Sequence, residues 1–175
     1  MNIEALPDAR LTFLLGGARS GKSAHAESLI MKHQAPWTYI ATAEAHDSEM
    51  AERISEHQAR RDDRWQTVDA PIKLNEALTA VPDGQAVLVD CLTLWLTNLM
   101  LGDHDIEVAC DELLRTLAKP RGPWFIVSNE TGLGIVPDNA LARRFRDEAG
   151  RLNQRVAACA NDVSFMVAGL AMKVK

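Results

Sequence analysis

The chain has 175 residues, 47% apolar and 25% charged, with 19 Lys and Arg against 24 Asp and Glu for a formal charge of −5. That length suits one domain with a real core, and the acidic balance argues against a broad nucleic-acid surface. The longest uncharged apolar run, Cys91–Gly102, is well short of the ~18 residues a membrane helix needs, so no membrane insertion is expected.

In chain order, Met1–Asp8 lacks a basic n-region and an apolar h-region. No signal peptide is expected there, and the expected location is cytoplasmic. Residues 1–10 read as a loose N-terminal extension and 11–175 as a single domain. Leu11–Leu15 is a short apolar run with the look of a buried strand, followed by a glycine-rich turn and a helix over Lys22–His33. Trp37–Ala41 reads as a second strand and Ser48–Arg61 as a charged helix. Ala86–Asp90, Trp124–Ser128 and Val163–Val167 read as three more strands. Before the last of these, Asp138 is placed to cap a helix running to Cys159. Leu141, Phe145, Ala149, Leu152 and Val156 would form its apolar stripe. Continuous apolar strands separated by helices predict burial on both faces and βαβ units. The fold class expected is α/β, a P-loop NTPase-like (RecA-type) three-layer fold around a mainly parallel central sheet. Cys91, Cys110 and Cys159 form no CxxC metal pattern and no disulfide framework.

Gly16, Gly17, Ala18, Arg19, Ser20, Gly21, Lys22 and Ser23 match G-x-x-x-x-G-K-[ST]. Its glycines let backbone N–H groups curve around phosphate oxygens, and the next helix points its positive end at the same anion. Lys22 supplies a charge near the β- and γ-phosphates, and Ser23 can ligate Mg²⁺. The four specified positions arise by chance in on the order of 1% of chains this long. Here the motif also sits between a strand and a helix, its required context. Asp90 ends an apolar strand, where a P-loop protein holds the acid that organises Mg²⁺, although a turn aspartate would look the same.

On the charged helix, Glu49, Arg53 and His57 recur at i, i+4 and i+8, with Arg60 and Arg61 one turn further. A solvated face would carry the same pattern. So would a nucleophilic imidazole with guanidiniums to stabilise a phosphoryl charge, and spacing leaves both open. Asn129, Glu130, Gly132 and Gly134 follow a strand in a loop that could meet substrate or could be simple turn chemistry.

Taken together, the chain resembles the bifunctional adenosylcobinamide kinase / adenosylcobinamide-phosphate guanylyltransferase family of cobalamin biosynthesis. The resemblance rests on Gly16–Ser23 with Ala26-Glu27, Tyr39–Ala43, Glu49-Met50, Arg53-Ile54 with His57 and Arg61, and Trp65-x-Thr67. It continues through Asp90–Thr93, Asn98-Leu99, Ser128–Glu130 with Gly132, Gly134–Pro137, Arg143–Asp147, Gly150–Gln154 and Gly169…Lys173. It implies a kinase step on the aminopropanol hydroxyl of adenosylcobinamide, using ATP or GTP. It then implies guanylylation of His57 by GTP and transfer of GMP to adenosylcobinamide phosphate, giving adenosylcobinamide-GDP. Lys22 and His57 would be catalytic. Nucleotide contacts would fall on Gly16–Ser23, on Ala41, Thr42 and Ala43, on Gln58, Ala59, Arg60 and Arg61, and on Asp69 and Asp90. Asp69 stands where the family pattern T-x-E has glutamate. Mg²⁺ would sit on Ser23 and Asp90, and a homotrimer is implied.

Other functions remain open to the sequence. A single-activity P-loop kinase would leave His57 structural. A GTPase switch would need the guanine-reading N-K-x-D signature, but Ser128-Asn-Glu-Thr131 stands in its place. A nucleotide-binding module without chemistry would bind without turnover.

Overall fold

The computed structural model describes residues 8–45 and 61–175, with Ser48, Glu52, Ile54, Ser55 and Ala59 between them. In chain order the elements are β1 (Arg10–Gly16), α1 (Lys22–Ile30), β2 (Trp37–Ala41), β3 (Trp65–Asp69), α2 (Leu74–Ala80) and β4 (Val87–Asp90). They continue with α3 (Leu92–Leu101), α4 (Ile106–Leu117), β5 (Pro123–Asn129), α5 (Ala140–Cys159), β6 (Asp162–Val167) and β7 (Leu170–Lys173). The strands form one seven-stranded sheet, ordered β3-β2-β4-β5-β1-β6-β7. All neighbours are parallel except β7, which returns antiparallel to β6.

Alternate residues of the central strands enter opposite cores, as the pleat requires. Leu11 and Phe13 of β1, Val87 and Val89 of β4, and Trp124 and Ile126 of β5 pack under α2, α3, α4 and α5. Leu14, Leu88, Phe125 and Val127 pack on the other face, under Ala26 and Ile30 of α1. The result is the three-layer α/β fold expected from the buried runs. Among the described residues, no helix is long and apolar enough to cross a membrane.

The five expected strands are β1, β2, β4, β5 and β6. No apolar run announces β3 or β7. Gln66–Asp69 of β3 and all of β7 are exposed, because each strand forms an edge of the sheet. Arg10 is already the first residue of β1; its N–H donates to Gly122 O at 3.0 Å, and its side chain pairs with Asp162. The helix expected to reach His33 ends at Ile30. Most of Ser48–Arg61 lies outside the described residues; Ser48, Glu52, Ile54, Ser55 and Ala59 are helical and Arg61 is not.

Two expectations about α5 need correction. Its cap is Asn139 rather than Asp138, because the Asn139 Oδ1 accepts from Ala142 N at 2.7 Å. Of the stripe, Ala149, Leu152 and Val156 are buried and Phe145 packs against them, but Leu141 is 56% exposed. The first turn of α5 therefore projects past the core.

The β6–β7 turn closes over the glycine-rich loop after β1. Ala168 and Gly169 take φ of 50° and 81°, and the Gly169 N–H donates to Ser20 O at 3.0 Å. A Cβ on Gly21 would stand 3.2 Å from Gly169 Cα, so a side chain there would crowd the two backbones.

Candidate active site

The loop between β1 and α1 has the geometry of an anion nest. Arg19 and Gly21 take φ of 55° and 93°, and Ser20 N donates to Gly17 O at 3.3 Å. Gly21 occupies the N-cap of α1 without any side-chain cap, and the first turn carries no acid. The first-turn N–H groups and the positive end of the helix are thus left to a ligand. Lys22 is 6% exposed; its Nζ donates to Gly17 O at 2.5 Å and lies 3.4 Å from Ser20 Oγ. Burial lowers the pKa of its ammonium, with Cys91 and Asp90 acting in the opposite direction.

Gly16 has no room for a side chain. A Cβ there would lie 2.7 Å from Met166 O and 2.8 Å from Ser20 Oγ, whereas one on Gly17 would meet nothing within 4 Å. Gly16→Ala is expected to destabilise the fold by about 1–3 kcal/mol, the usual range for overpacking, and to weaken triphosphate binding. Gly17→Ala should leave stability near that of the wild type. Equal denaturation midpoints for the two variants would refute this account of Gly16.

Asp69, Ala41 and Asp90 stand in one row across the carboxyl ends of β3, β2 and β4. This edge is where ligands of open α/β sheets bind. The Tyr39 hydroxyl donates to Asp90 Oδ2 at 3.1 Å, and the Arg61 guanidinium lies 3.7 Å from the Tyr39 ring centre. Burial, then the Asp90 carboxylate, pushes the Tyr39 pKa far up, so its hydroxyl remains a donor. The Cys91 thiol is pushed up to about 11 by burial and then by Asp90, which keeps it protonated at neutral pH. Arg61 Nη1 is buried and has no hydrogen-bond partner among the described residues. Such an orphaned donor suits an anion arriving with the ligand.

Polar side chains pin the loops around this edge. Thr42 is fully buried; its hydroxyl donates to Cys91 O at 2.7 Å and accepts from Cys91 N at 2.8 Å. Asn98 on α3 donates to Thr42 O at 2.8 Å and Pro71 O at 3.0 Å, joining the exits of β2 and β3. Thr93 Oγ1 accepts from Asn129 N at 2.7 Å and lies 3.3 Å from Ser128 Oγ. Glu130 N donates to Gly16 O at 3.0 Å, so the loop after β5 begins against the phosphate loop. Further along that loop, Leu133 and Ile135 are 80% and 98% exposed.

The expected site residues thus divide into groups. Gly16–Ser23, Ala41, Thr42, Ala43, Asp69 and Asp90 lie at or beside the carboxyl edge of the sheet, and Arg61 reaches Asp90 through Tyr39. Ala59 is exposed, and His57, Gln58 and Arg60 lie outside the described residues. Sequence reasoning gave no part to Tyr39, Asn98 or Ser128 individually. Their signal was a polar group within an apolar segment, where burial demands a partner.

Ser23 on the first turn of α1 and Asp90 at the end of β4 offer a hydroxyl and a carboxylate. That donor set fits Mg²⁺, a hard cation that takes one or two protein oxygens beside water and phosphate. Among the described residues, no group of three or more His, Cys, Asp or Glu could hold a metal ion.

The chain is 48% identical over 165 residues to the bifunctional adenosylcobalamin biosynthesis protein CobP of Pseudomonas aeruginosa, covering 93% of this chain and 95% of that one. It is 43% identical to the bifunctional adenosylcobalamin biosynthesis protein CobU of Salmonella typhimurium, covering 94% of this chain and 99% of that one. Among solved structures, the ATPase EscN of the enteropathogenic E. coli type III secretion system superposes with a TM-score of 0.56. That match has 11% identity and covers 91% of this chain and 43% of EscN, a likeness of fold alone. The profile of one family, cobinamide kinase / cobinamide phosphate guanyltransferase, matches residues 12–174. With that match from β1 through β7 and relatives at this level of identity along almost their whole length, the chain belongs to the cobinamide kinase / cobinamide phosphate guanyltransferase family.

Proposed function

We propose that this chain carries out two successive transfers at one nucleotide site, within a single domain that begins with β1 at Arg10. In the first, the aminopropanol hydroxyl of adenosylcobinamide attacks the γ-phosphorus of ATP or GTP. The bond from that phosphorus to the β–γ bridging oxygen breaks, the nucleoside diphosphate leaves, and the hydroxyl proton passes to solvent. In the second, a nitrogen of His57 attacks the α-phosphorus of GTP and pyrophosphate leaves. A phosphate oxygen of adenosylcobinamide phosphate then attacks the guanylyl phosphorus, the P–N bond breaks, and adenosylcobinamide-GDP forms. The phosphoramidate retains enough free energy for that last transfer and divides one displacement into two.

The observation that carries this reading is the uncapped N-terminus of α1 behind a buried lysine, in a chain whose family match is nearly complete. The nest N–H groups and Lys22 hold the β- and γ-phosphates and stabilise the charge that develops as either group leaves. Ser23 and Asp90 would hold Mg²⁺, which would supply neutralisation of phosphate charge when bound. Arg61, stacked on the Tyr39 ring, would offer its unpartnered nitrogen to the nucleotide. The loop of Asn129, Glu130, Gly132 and Gly134, which starts against Gly16, is in position to receive the acceptor. Assembly as a homotrimer belongs to the same reading and is testable by sedimentation.

The test is incubation with Mg²⁺ and α-labelled GTP, then denaturation and peptide mapping. Label on the His57 peptide, labile in acid and stable in alkali, is the expected result. Unlabelled protein that still binds GTP and phosphorylates adenosylcobinamide would reduce the chain to a kinase.

A further inference from the structure

Tyr39 makes two contacts to which the proposed chemistry assigns no purpose. Its hydroxyl donates to Asp90 Oδ2 at 3.1 Å, and its ring lies under the Arg61 guanidinium at 3.7 Å. The phenol is 5% exposed, and Trp65 stands against it at 75° with centroids 6.3 Å apart. The backbone is fixed as well, since β2 sets Tyr39 between Thr67 of β3 and Leu88 of β4. Asp90 lies two positions beyond Leu88, so the phenol reaches along the sheet toward the carboxyl edge. A donor held on this many sides cannot follow the carboxylate if it turns; the carboxylate must settle on the donor.

We propose that Tyr39 is a positioning residue: its hydroxyl sets the orientation of Asp90 toward the metal–triphosphate complex, while its ring seats Arg61 at a fixed spacing from that acid. The inference rests on Asp90 being the metal acid. A carboxylate at a strand end has torsional freedom of its own, and a hydrogen bond to one oxygen removes it. Outer partners of this kind change metal affinity by about 10–100-fold when they are deleted. The ring contact is a cation–π interaction between a half-buried guanidinium and a buried ring, and such contacts strengthen as water is excluded. One side chain thereby joins the acid of β4 to the arginine that follows the histidine segment. Tyr39→Phe separates the two duties, because it keeps the ring under Arg61 and deletes only the hydroxyl.

The experiment uses the full chain, saturated with a non-hydrolysable GTP analogue and titrated with Mn²⁺ by electron paramagnetic resonance. Wild type, Tyr39→Phe, Tyr39→Leu and Asp90→Asn are compared, and affinity for the analogue is measured separately in EDTA. Tyr39→Phe is expected to weaken Mn²⁺ binding about 10-fold, the lower end for an outer partner, with metal-free analogue affinity unchanged. Tyr39→Leu is expected to lose analogue affinity in EDTA as well, because Arg61 has lost its seat. If Asp90→Asn weakens Mn²⁺ binding and Tyr39→Phe does not, the positioning role is overturned while the metal acid stands. If Asp90→Asn also binds Mn²⁺ like the wild type, the metal assignment falls and takes this inference with it. A Tyr39→Phe protein that binds the analogue more weakly in EDTA as well as with metal has a general packing defect, which overturns the positioning role too.

Discussion

Lys22→Ala is expected to depress phosphoryl transfer and His57 guanylylation together, each by about 10²–10³-fold, the range for removing one preorganised charge-stabilising donor. The side chain is 6% exposed and curls back onto Gly17 O and Ser20 Oγ, so its charge is held inside the loop. Phosphate oxygens would replace those acceptors when a triphosphate binds. Both proposed steps draw on the same cradle, so neither should escape. Lys22→Arg should rescue poorly, because a planar fork does not occupy the space of a compact ammonium. Lys22→Met, which keeps the volume and removes a desolvated charge, should be no less stable than the wild type. It therefore separates loss of chemistry from loss of fold. Measured with γ-labelled and α-labelled GTP in parallel, a variant that keeps one transfer at full rate would show that the two steps use different phosphate sites.

His57→Ala is expected to divide the two activities. Guanylyl transfer should fall by at least about 10³-fold, as when a nucleophile is deleted, while phosphorylation of adenosylcobinamide stays within a few-fold. Water cannot take over the nucleophile's part, since its attack on the α-phosphorus yields free GMP and no group that can be passed on. Added imidazole should restore part of the GMP transfer by entering the space left behind. The assay needs adenosylcobinamide phosphate as acceptor, so that the second step is followed without the first. Equal loss of both activities in a folded variant would turn the histidine into a shared binding residue.

How much of this was legible in the sequence depends on how local each feature is. The phosphate nest is made by consecutive residues, Gly16–Ser23, so its motif carries its own geometry. Strands β1, β2, β4 and β5 were visible because burial on both faces makes a continuous apolar run, whereas β6 buries only Val163 and Met166 and was visible from the apolar content of Val163–Val167 alone. Edge strands β3 and β7 have one open side and exposed residues, and they left no such run. The stretch Cys91–Gly102 was conspicuous as an apolar segment and proved to contain α3, whose buried face carries both Trp95 and Asn98. What remained hidden were the ties between distant positions. Tyr39 and Asp90 are 51 residues apart, Thr42 and Asn98 56, and Thr93 and Asn129 36. Spacing conveys nothing about such pairs, because sheet order rather than sequence brings them together. Leu141 shows the opposite limit: it keeps the period of its helix, but the core ends before it.

The turn that closes over the phosphate loop sets an order of events during synthesis. β1 is flanked only by β5 and β6, and Leu11 N is held by Asn161 Oδ1, 150 residues later in the chain. Residues 10–21 thus leave the ribosome long before any strand exists to pair with them. They must wait, as exposed apolar chain, while β2, β3 and β4 assemble elsewhere in the sheet. The nucleotide site becomes whole only when Gly169 arrives to take Ser20 O. Nascent chains arrested before β6 should therefore be blind to GTP, and a ribosome stalled there would hold the earliest-made part of the site as its least finished part.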